Sequence, residues 1–290
     1  MIYTAEHATT YLYSGPVSIC HTEVHLTPRS GPTQRLVSHK LEITPEPAYS
    51  VTREDYFGNE ITCFSIQESH DTLTVVSRSE VEMLSVEPPA LELTQAWEEV
   101  RDQIRTRATD ELFQVAEFTG RSPMVRVSPE FKTWAAPSFT PGRPVAVACM
   151  DLTHRIFKDF RYDPRATTVS TPVEEVLKIR GGVCQDFAHL MASGLRSLGL
   201  AARYVSGYLK SGELTRGAEA SHAWCAVYCG EFGWLEFDPT NDLMPCGEHV
   251  TVAYGRDYSD VTPVKGVALG GGEQLINVSV SVAPKGSQVS

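Results

Sequence analysis

No stretch of this 290-residue sequence approaches the roughly 18 consecutive apolar residues that a membrane span requires. The first seven residues, Met1 to His7, supply neither a basic region nor an apolar one, so they do not read as a secretory signal. Together these absences point to a cytoplasmic chain with no membrane partner. Basic clusters are missing too. Lys and Arg number 25 against 36 Asp and Glu, a formal net charge of -11, which argues against nucleic acid and anionic lipid as partners. The seven cysteines are an odd number in a chain with no secretory signal, so reduced thiols are expected rather than a disulfide framework. None of their spacings is that of a zinc site. Cys225 and Cys229 fall on one face of an expected strand without forming a ligand pattern. The sequence calls for no metal and no cofactor, and it leaves the oligomeric state open.

What remains is globular. A hydrophobic content of 42% supports a packed core, and the length allows one large domain or two ordinary ones. From Ile2 to about Glu87, short extended runs such as Val17–Leu26 and Leu73–Val76 are broken by turn residues, with Asp55-Tyr-Phe-Gly-Asn59 reading as a hairpin turn. This predicts an N-terminal antiparallel β unit over 1–90. A helix is expected from Gln95 to about Arg107, inside a helical linker region over 91–143 that carries Ser-Pro and Ala-Pro breaks. Pro144 can open a helix running to about Phe160, and Thr171-Pro-Val-Glu174 reads as a capping box for a short helix ending at Ile179. After Gly181-Gly182, the residues Phe187, Leu190, Met191, Leu195 and Leu198 share one face of a helix that Gly199 stops. Strands follow at 202–209, 223–228 and 234–237. A core over 144–268 is thus a helix packed on antiparallel sheet, and 269–290 supply one more strand, around 276–282, and a tail. The fold class is α+β.

Three segments of this core carry chemistry. Gly-Gly-Val-Cys-Gln-Asp-Phe-Ala-His-Leu (181–190) places Cys184 at a helix start, Ser-His-Ala-Trp (221–224) places His222 on a strand, and Trp-Leu-Glu-Phe-Asp-Pro-Thr (234–240) places Asp238 at the end of another. Each residue alone has a bland explanation: a buried cysteine, a core histidine, an Asp-Pro turn. Their conjunction supplies a thiol nucleophile, an imidazole to activate it and a carboxylate to orient the imidazole, the set that covalent acyl transfer needs. A free thiol titrates near pH 8.5, so it requires such help, and the helix N-terminus adds a smaller contribution. The Cys184 backbone N–H is an oxyanion donor by position; a second donor is not evident, and Gln185 or a Trp indole is the candidate. Asp186 complements the helix dipole or supports the site. His189, five residues past the thiol, reads as structural. Trp224, Trp234 and Tyr258 are candidates for lining a substrate groove, and Asp257 and Asp260 for its mouth.

On these three motifs the sequence resembles the transglutaminase-like superfamily, in particular its bacterial members described as cysteine proteases. Gly255-Arg-Asp-Tyr-Ser-Asp-Val-Thr-Pro-Val-Lys-Gly266 is similar to the loop that follows their core, and the N-terminal half, with Asp55–Asn59, to the β-rich region that precedes it. The resemblance implies a papain-like core using Cys184, His222 and Asp238 for acyl transfer from the amide of a peptide or protein. It does not fix the acceptor. Water makes a peptidase or amidase, which is the favoured expectation because no acidic loop of the calcium-binding kind is present. A lysine amine makes a cross-linking transglutaminase, and a silent scaffold of the same fold is the third alternative.

Overall fold

The computed structural model describes residues 1–85, 87, 89–210 and 221–286. The first unit is a seven-stranded antiparallel sheet built around one strand of 23 residues, β1 (Ile2–Val24). Its companions are β2 (Gln34–Thr44), β3 (Tyr49–Glu54), β4 (Glu60–Ile66) and β5 (His70–Met83), in the order β2-β5-β1-β4-β3. The register of β1 against β5 breaks between Leu12 and Val17. Gly15 and Pro16 lie in that gap, and proline has no N–H for the ladder. Beyond the break β1 exchanges neighbours and pairs with β4.

Five helices precede or flank the second unit: α1 (Trp97–Thr106), α2 (Asp110–Ala116), α3 (Pro129–Ala135), α4 (Val145–Asp159) and α5 (Val173–Ile179), with the two-residue strands β6 (Arg161–Tyr162) and β7 (Gly181–Gly182) around α5. Helix α6 (Cys184–Ser197) then lies against a four-stranded antiparallel sheet, β8 (Ala202–Leu209), β9 (His222–Tyr228), β10 (Trp234–Phe237) and β11 (His249–Gly255), ordered β10-β9-β8-β11. The segment expected as a linker, 91–143, is instead part of the core. Val100, Ile104, Val115, Phe118, Phe131 and Phe139 pack in one cluster with Leu152 and Ile156 of α4 and with Phe187, Leu190 and Leu195 of α6. Pro144 and Pro172 sit one position outside their helices as N-caps. Gly199 follows α6 at φ +87°, the left-handed geometry that ends a helix.

At the chain end the strand expected around 276–282 is present within a longer one, and a second strand precedes it. Strands β12 (Val264–Gly270) and β13 (Gln274–Pro284) return to the first sheet, β12 pairing with the second half of β1 and β13 with the first. The two units are therefore sewn together by both ends of the chain.

The contact between them is intimate. Tyr3, Ala5, Val81, Met83, Val280 and Val282 of the first sheet share a buried cluster with Cys184, Tyr204, Tyr208, Val250 and Val252. Edge strand β11 is satisfied by side-chain amides from the first sheet. Gln34 Nε2 donates to Thr251 O (2.7 Å) while its Oε1 accepts from Thr251 N (2.8 Å), and Asn59 makes the same pair of bonds to Tyr254. Two amides thus stand in for a neighbouring strand and close an edge that would otherwise expose its backbone.

Several buried histidines are held neutral. Burial lowers His7 and His189 to about 4 each, and lowers His25 and the half-buried His39 as well. For each, the folded value lies below the unfolded one near 6.5, so the unfolded chain takes up the proton first as pH falls. Stability is expected to drop between pH 6.5 and 4, with His7 and His189 each contributing on the order of 3 kcal/mol to the loss. A melting temperature that stays level across this window would contradict it.

Candidate active site

Cys184 is the first residue of α6, where the chain leaves Val183 and turns sharply into the helix. Asp186 makes that turn hold. Its Oδ2 accepts from the Val183 N–H (2.8 Å) and from Thr167 Oγ1 (2.6 Å), so its carboxylate is occupied in capping rather than free for chemistry. Burial raises its pKa against those two bonds. Gly182 is required here, because a Cβ at that position would meet the Asp186 side chain.

His222 opens β9 and Asp238 directly follows β10, on adjacent antiparallel strands. The His222 Nε2–H donates to Asp238 Oδ2 at 2.8 Å, both side chains fully buried. Nδ1, on the other edge of the ring, meets no hydrogen-bond partner; Cys184 is, besides Asp238, the group that acts on this imidazole. Burial disfavours the imidazolium, but the Asp238 carboxylate and the neighbouring Cys184 outweigh it and raise His222 to about 10. Asp238 moves the opposite way. Burial would raise it, yet the His222 charge and two imidazole hydrogen bonds hold it well below the usual carboxylate range.

The carboxylate is fixed from every side. Oδ1 accepts from the Thr240 N–H (2.9 Å) and the Asn241 N–H (3.3 Å), an Asx turn made by the Asp-Pro-Thr-Asn run. Oδ2 accepts from Asn241 Nδ2 (2.8 Å) and, besides His222, from Nε2 of a second histidine, His249 at the start of β11 (3.0 Å). The ligand atoms of His222, Asp238 and His249 lie within 4.8 Å of one another, close enough to surround a cation. Both Nε2 atoms, however, face one carboxylate oxygen as donors, which leaves neither with the lone pair a metal would need.

Trp224 braces the pair. It stacks on His222 with ring centroids 5.9 Å apart, meets His249 edge-on at 5.1 Å, and donates its indole N–H to Glu236 Oε2 at 2.8 Å. It is fully buried, with 0% exposure, so it presents no surface to a substrate, contrary to the groove expectation. Room for its ring comes from Gly207 on β8, where a Cβ would collide with it and with the Val250 carbonyl.

The other expected residues divide. Tyr258 packs on the cluster that contains Cys184, edge-on to Tyr204. Trp234 does not approach the thiol: it pairs with Tyr228, the far end of β9 from His222, and packs on Phe118 and Arg203. Six residues of strand span about 20 Å. Asp257 is also removed from any cleft mouth. Fully buried, it accepts from the Met124 and Ser259 N–H groups and shapes the loop after β11. Asp260 is bound in the same loop by Arg256. Gln185 Nε2 donates to Val169 O at 3.1 Å, tying the helix start to the loop before α5. His189 is structural: its Nε2 accepts from the Tyr258 N–H.

His249 was not identified from sequence. It stands ahead of an apolar strand with no neighbour of matching chemistry, and only the fold brings it to Asp238. Asn241 had a local signal, the Asx-turn run itself.

Against known families, residues 3–82 match the bacterial transglutaminase-like N-terminal region and residues 135–239 the transglutaminase-like superfamily. An uncharacterized protein of Mycobacterium tuberculosis is 40% identical over 296 residues, covering 97% of this chain and 92% of its own length. The chain belongs to the transglutaminase-like superfamily. Another uncharacterized relative, from Mycobacterium leprae, is 35% identical over 282 residues, 95% of this chain and 96% of its own. A protein-glutamine gamma-glutamyltransferase of Pseudomonas aeruginosa is 33% identical over 108 residues, 32% of this chain and 16% of that protein. The fold matches a solved structure from Cytophaga hutchinsonii, described as a "putative cysteine protease", at a TM-score of 0.77 and 20% identity, covering all of this chain (100%) and 92% of that one. Superfamily membership accounts for the paired architecture of β-rich region and core. No described helix is long and apolar enough to cross a membrane.

Proposed function

We propose that the protein is a cysteine-dependent acyl-transfer enzyme that cleaves amide bonds through a thioester on Cys184. The observation that carries this reading is the buried hydrogen bond from His222 Nε2–H to Asp238, on an imidazole with which Cys184, the first residue of α6, also interacts. In the first half-reaction the Cys184 sulfur attacks the amide carbonyl carbon. The Cys184 backbone N–H, one of the first donors of α6 without an intrahelical partner, faces the developing oxyanion. As the C–N bond breaks, the Nδ1 proton of the His222 imidazolium passes to the leaving amine, leaving an acyl thioester and neutral imidazole. In the second, water adds to the thioester carbonyl and gives its proton to Nδ1, releasing the acid and restoring the thiolate–imidazolium pair. Asp238 keeps Nε2–H in place throughout and stabilises the cation without taking its proton.

Hydrolysis is the favoured outcome, with a peptide or protein amide as substrate. Transamidation is the second reading, favoured by the segment shared with the Pseudomonas protein-glutamine gamma-glutamyltransferase. A labelled primary amine offered with a glutamine-bearing protein separates the two: incorporation marks transamidation, whereas ammonia or a new peptide end without incorporation marks hydrolysis.

The first test uses iodoacetamide at pH 6, read site by site by mass spectrometry. Cys246 is exposed while Cys184 is only 8% exposed, so access alone would favour Cys246. Cys184 is expected to label at least about tenfold faster than Cys246, and to lose that advantage in His222→Ala. Labelling that follows exposure in both proteins would reject the proposal and leave the silent scaffold.

A further inference from the structure

We propose that His249 is a positioning residue of this site: as a neutral imidazole it donates Nε2–H to Asp238 Oδ2, holding the carboxylate in line with His222 and sharing its charge. The inference deepens the acyl-transfer reading and rests on it. Asp238 Oδ2 receives two imidazole N–H groups, from His222 at 2.8 Å and from His249 at 3.0 Å, with ring centroids 6.1 Å apart. The atom opposite settles what His249 contributes. Its Nδ1 is buried and meets no partner. A buried acceptor without a donor costs stability that an apolar side chain would not, so the return on a histidine here is its Nε2–H.

The surroundings keep that donor in place. β11, which begins with His249, is clamped at Thr251 by Gln34 and at Tyr254 by Asn59, both from the first sheet. Trp224 lies edge-on to the imidazole. The titratable groups acting on His249 are Asp238 beyond β10, His222 on β9 and Glu248 just before it in the chain. Glu248 is engaged by Lys210 at 2.8 Å. Burial lowers the pKa of His249 against the pull of Asp238, in keeping with a neutral ring.

Charge sharing has a sign. A carboxylate that accepts a second imidazole N–H is a weaker base toward the first. Removing the His249 donor should therefore strengthen the hold of Asp238 on the His222 proton. The test is NMR titration of the full chain with isotope-labelled histidine, the His222 ring signal being identified by its loss in His222→Phe. In His249→Leu the proton affinity of His222 is expected to rise about tenfold, one pH unit. In His249→Gln, whose Nε2 reaches about as far as the imidazole Nε2, it should stay within about a factor of two of wild type.

A His222 titration that is unmoved or falls in His249→Leu overturns the proposal, as does His249→Gln behaving like His249→Leu. Should His249→Leu fail to fold by circular dichroism, His249→Asn, too short to reach Oδ2, makes the same comparison with His249→Gln. The readout needs no substrate. A silent scaffold would still show the shift, while failure of the acyl-transfer reading appears separately in the alkylation of Cys184.

Discussion

Cys184→Ala is expected to abolish thioester formation and reduce amide cleavage by about 10⁴- to 10⁶-fold, while leaving the fold intact. The two halves of that expectation come from different features of the residue. The sulfur is the atom proposed to form the covalent bond, and no other described group at the site can replace it: Asp186 is committed to Val183 and Thr167, and Gln185 Nε2 to Val169. The fold should survive because alanine is the best helix former and the start of α6 is held by Asp186, not by the thiol. The check is turnover of a fluorogenic amide or glutamine-bearing peptide, alongside a thermal melt. Wild-type turnover in a folded Cys184→Ala protein would reject a thioester on Cys184 as the route of cleavage. Cys184→Ser should be nearly as inactive, since a hydroxyl does not form the ion pair with His222 that a thiol can.

The core was legible because its signals are local. The apolar spacing from Phe187 to Leu198 and the stop at Gly199 give α6 almost to the residue, and short apolar runs give β8, β9 and β10. The helices of 91–143 read as a linker from sequence because proline breaks mark ends without marking what lies between. Whether Phe118 or Phe131 is buried depends on α4 and α6, which are distant in sequence. The return of β12 and β13 was hidden for a related reason. Strand pairing across more than 250 residues, as between Tyr13 and Gln274, leaves no trace in either segment read alone.

At the site, motif and geometry parted in the same way. Cys184, His222 and Asp238 sit in segments whose order carries information, whereas His249 is defined only by a hydrogen bond. Trp224 and Trp234 invited the groove reading as large aromatics near the motifs. A period of two along β9 does put Trp224 on the face of His222. But Gly207 opposite gives its ring a pocket in the sheet, so the residue is buried as a brace. Asp257, an exposed-looking loop acid, instead caps the backbone at Met124 and Ser259.

Asp238→Ala is expected to destabilise the fold by about 3–5 kcal/mol. The carboxylate accepts five hydrogen bonds: from Nε2 of His222 and of His249, from Asn241 Nδ2, and from the backbone of Thr240 and Asn241. Alanine takes the acceptor away from the buried donors of His222, His249 and Thr240 and removes one acceptor from the half-buried Asn241. The pH dependence of the loss identifies its source. The depressed Asp238 contributes stability that is present above the unfolded value near 3.9 and is lost as pH falls through the lower folded one. The raised His222 contributes stability that is fully present below about 6.5 and is lost as pH rises through about 10. The deficit of Asp238→Ala should therefore be widest between about pH 4 and 6.5 and narrow on both sides. Denaturant titrations at pH 3, 5.5, 8 and 10.5 measure it directly. A deficit independent of pH would mean that the loss is one of turn geometry alone and that the His222–Asp238 ion pair carries none of it. Asp238→Asn separates the two contributions further. It keeps an oxygen for the Thr240 and Asn241 N–H groups but turns an amide N–H₂ toward two imidazole donors, so it should fold better than Asp238→Ala and still lose the orientation of His222 on which turnover depends.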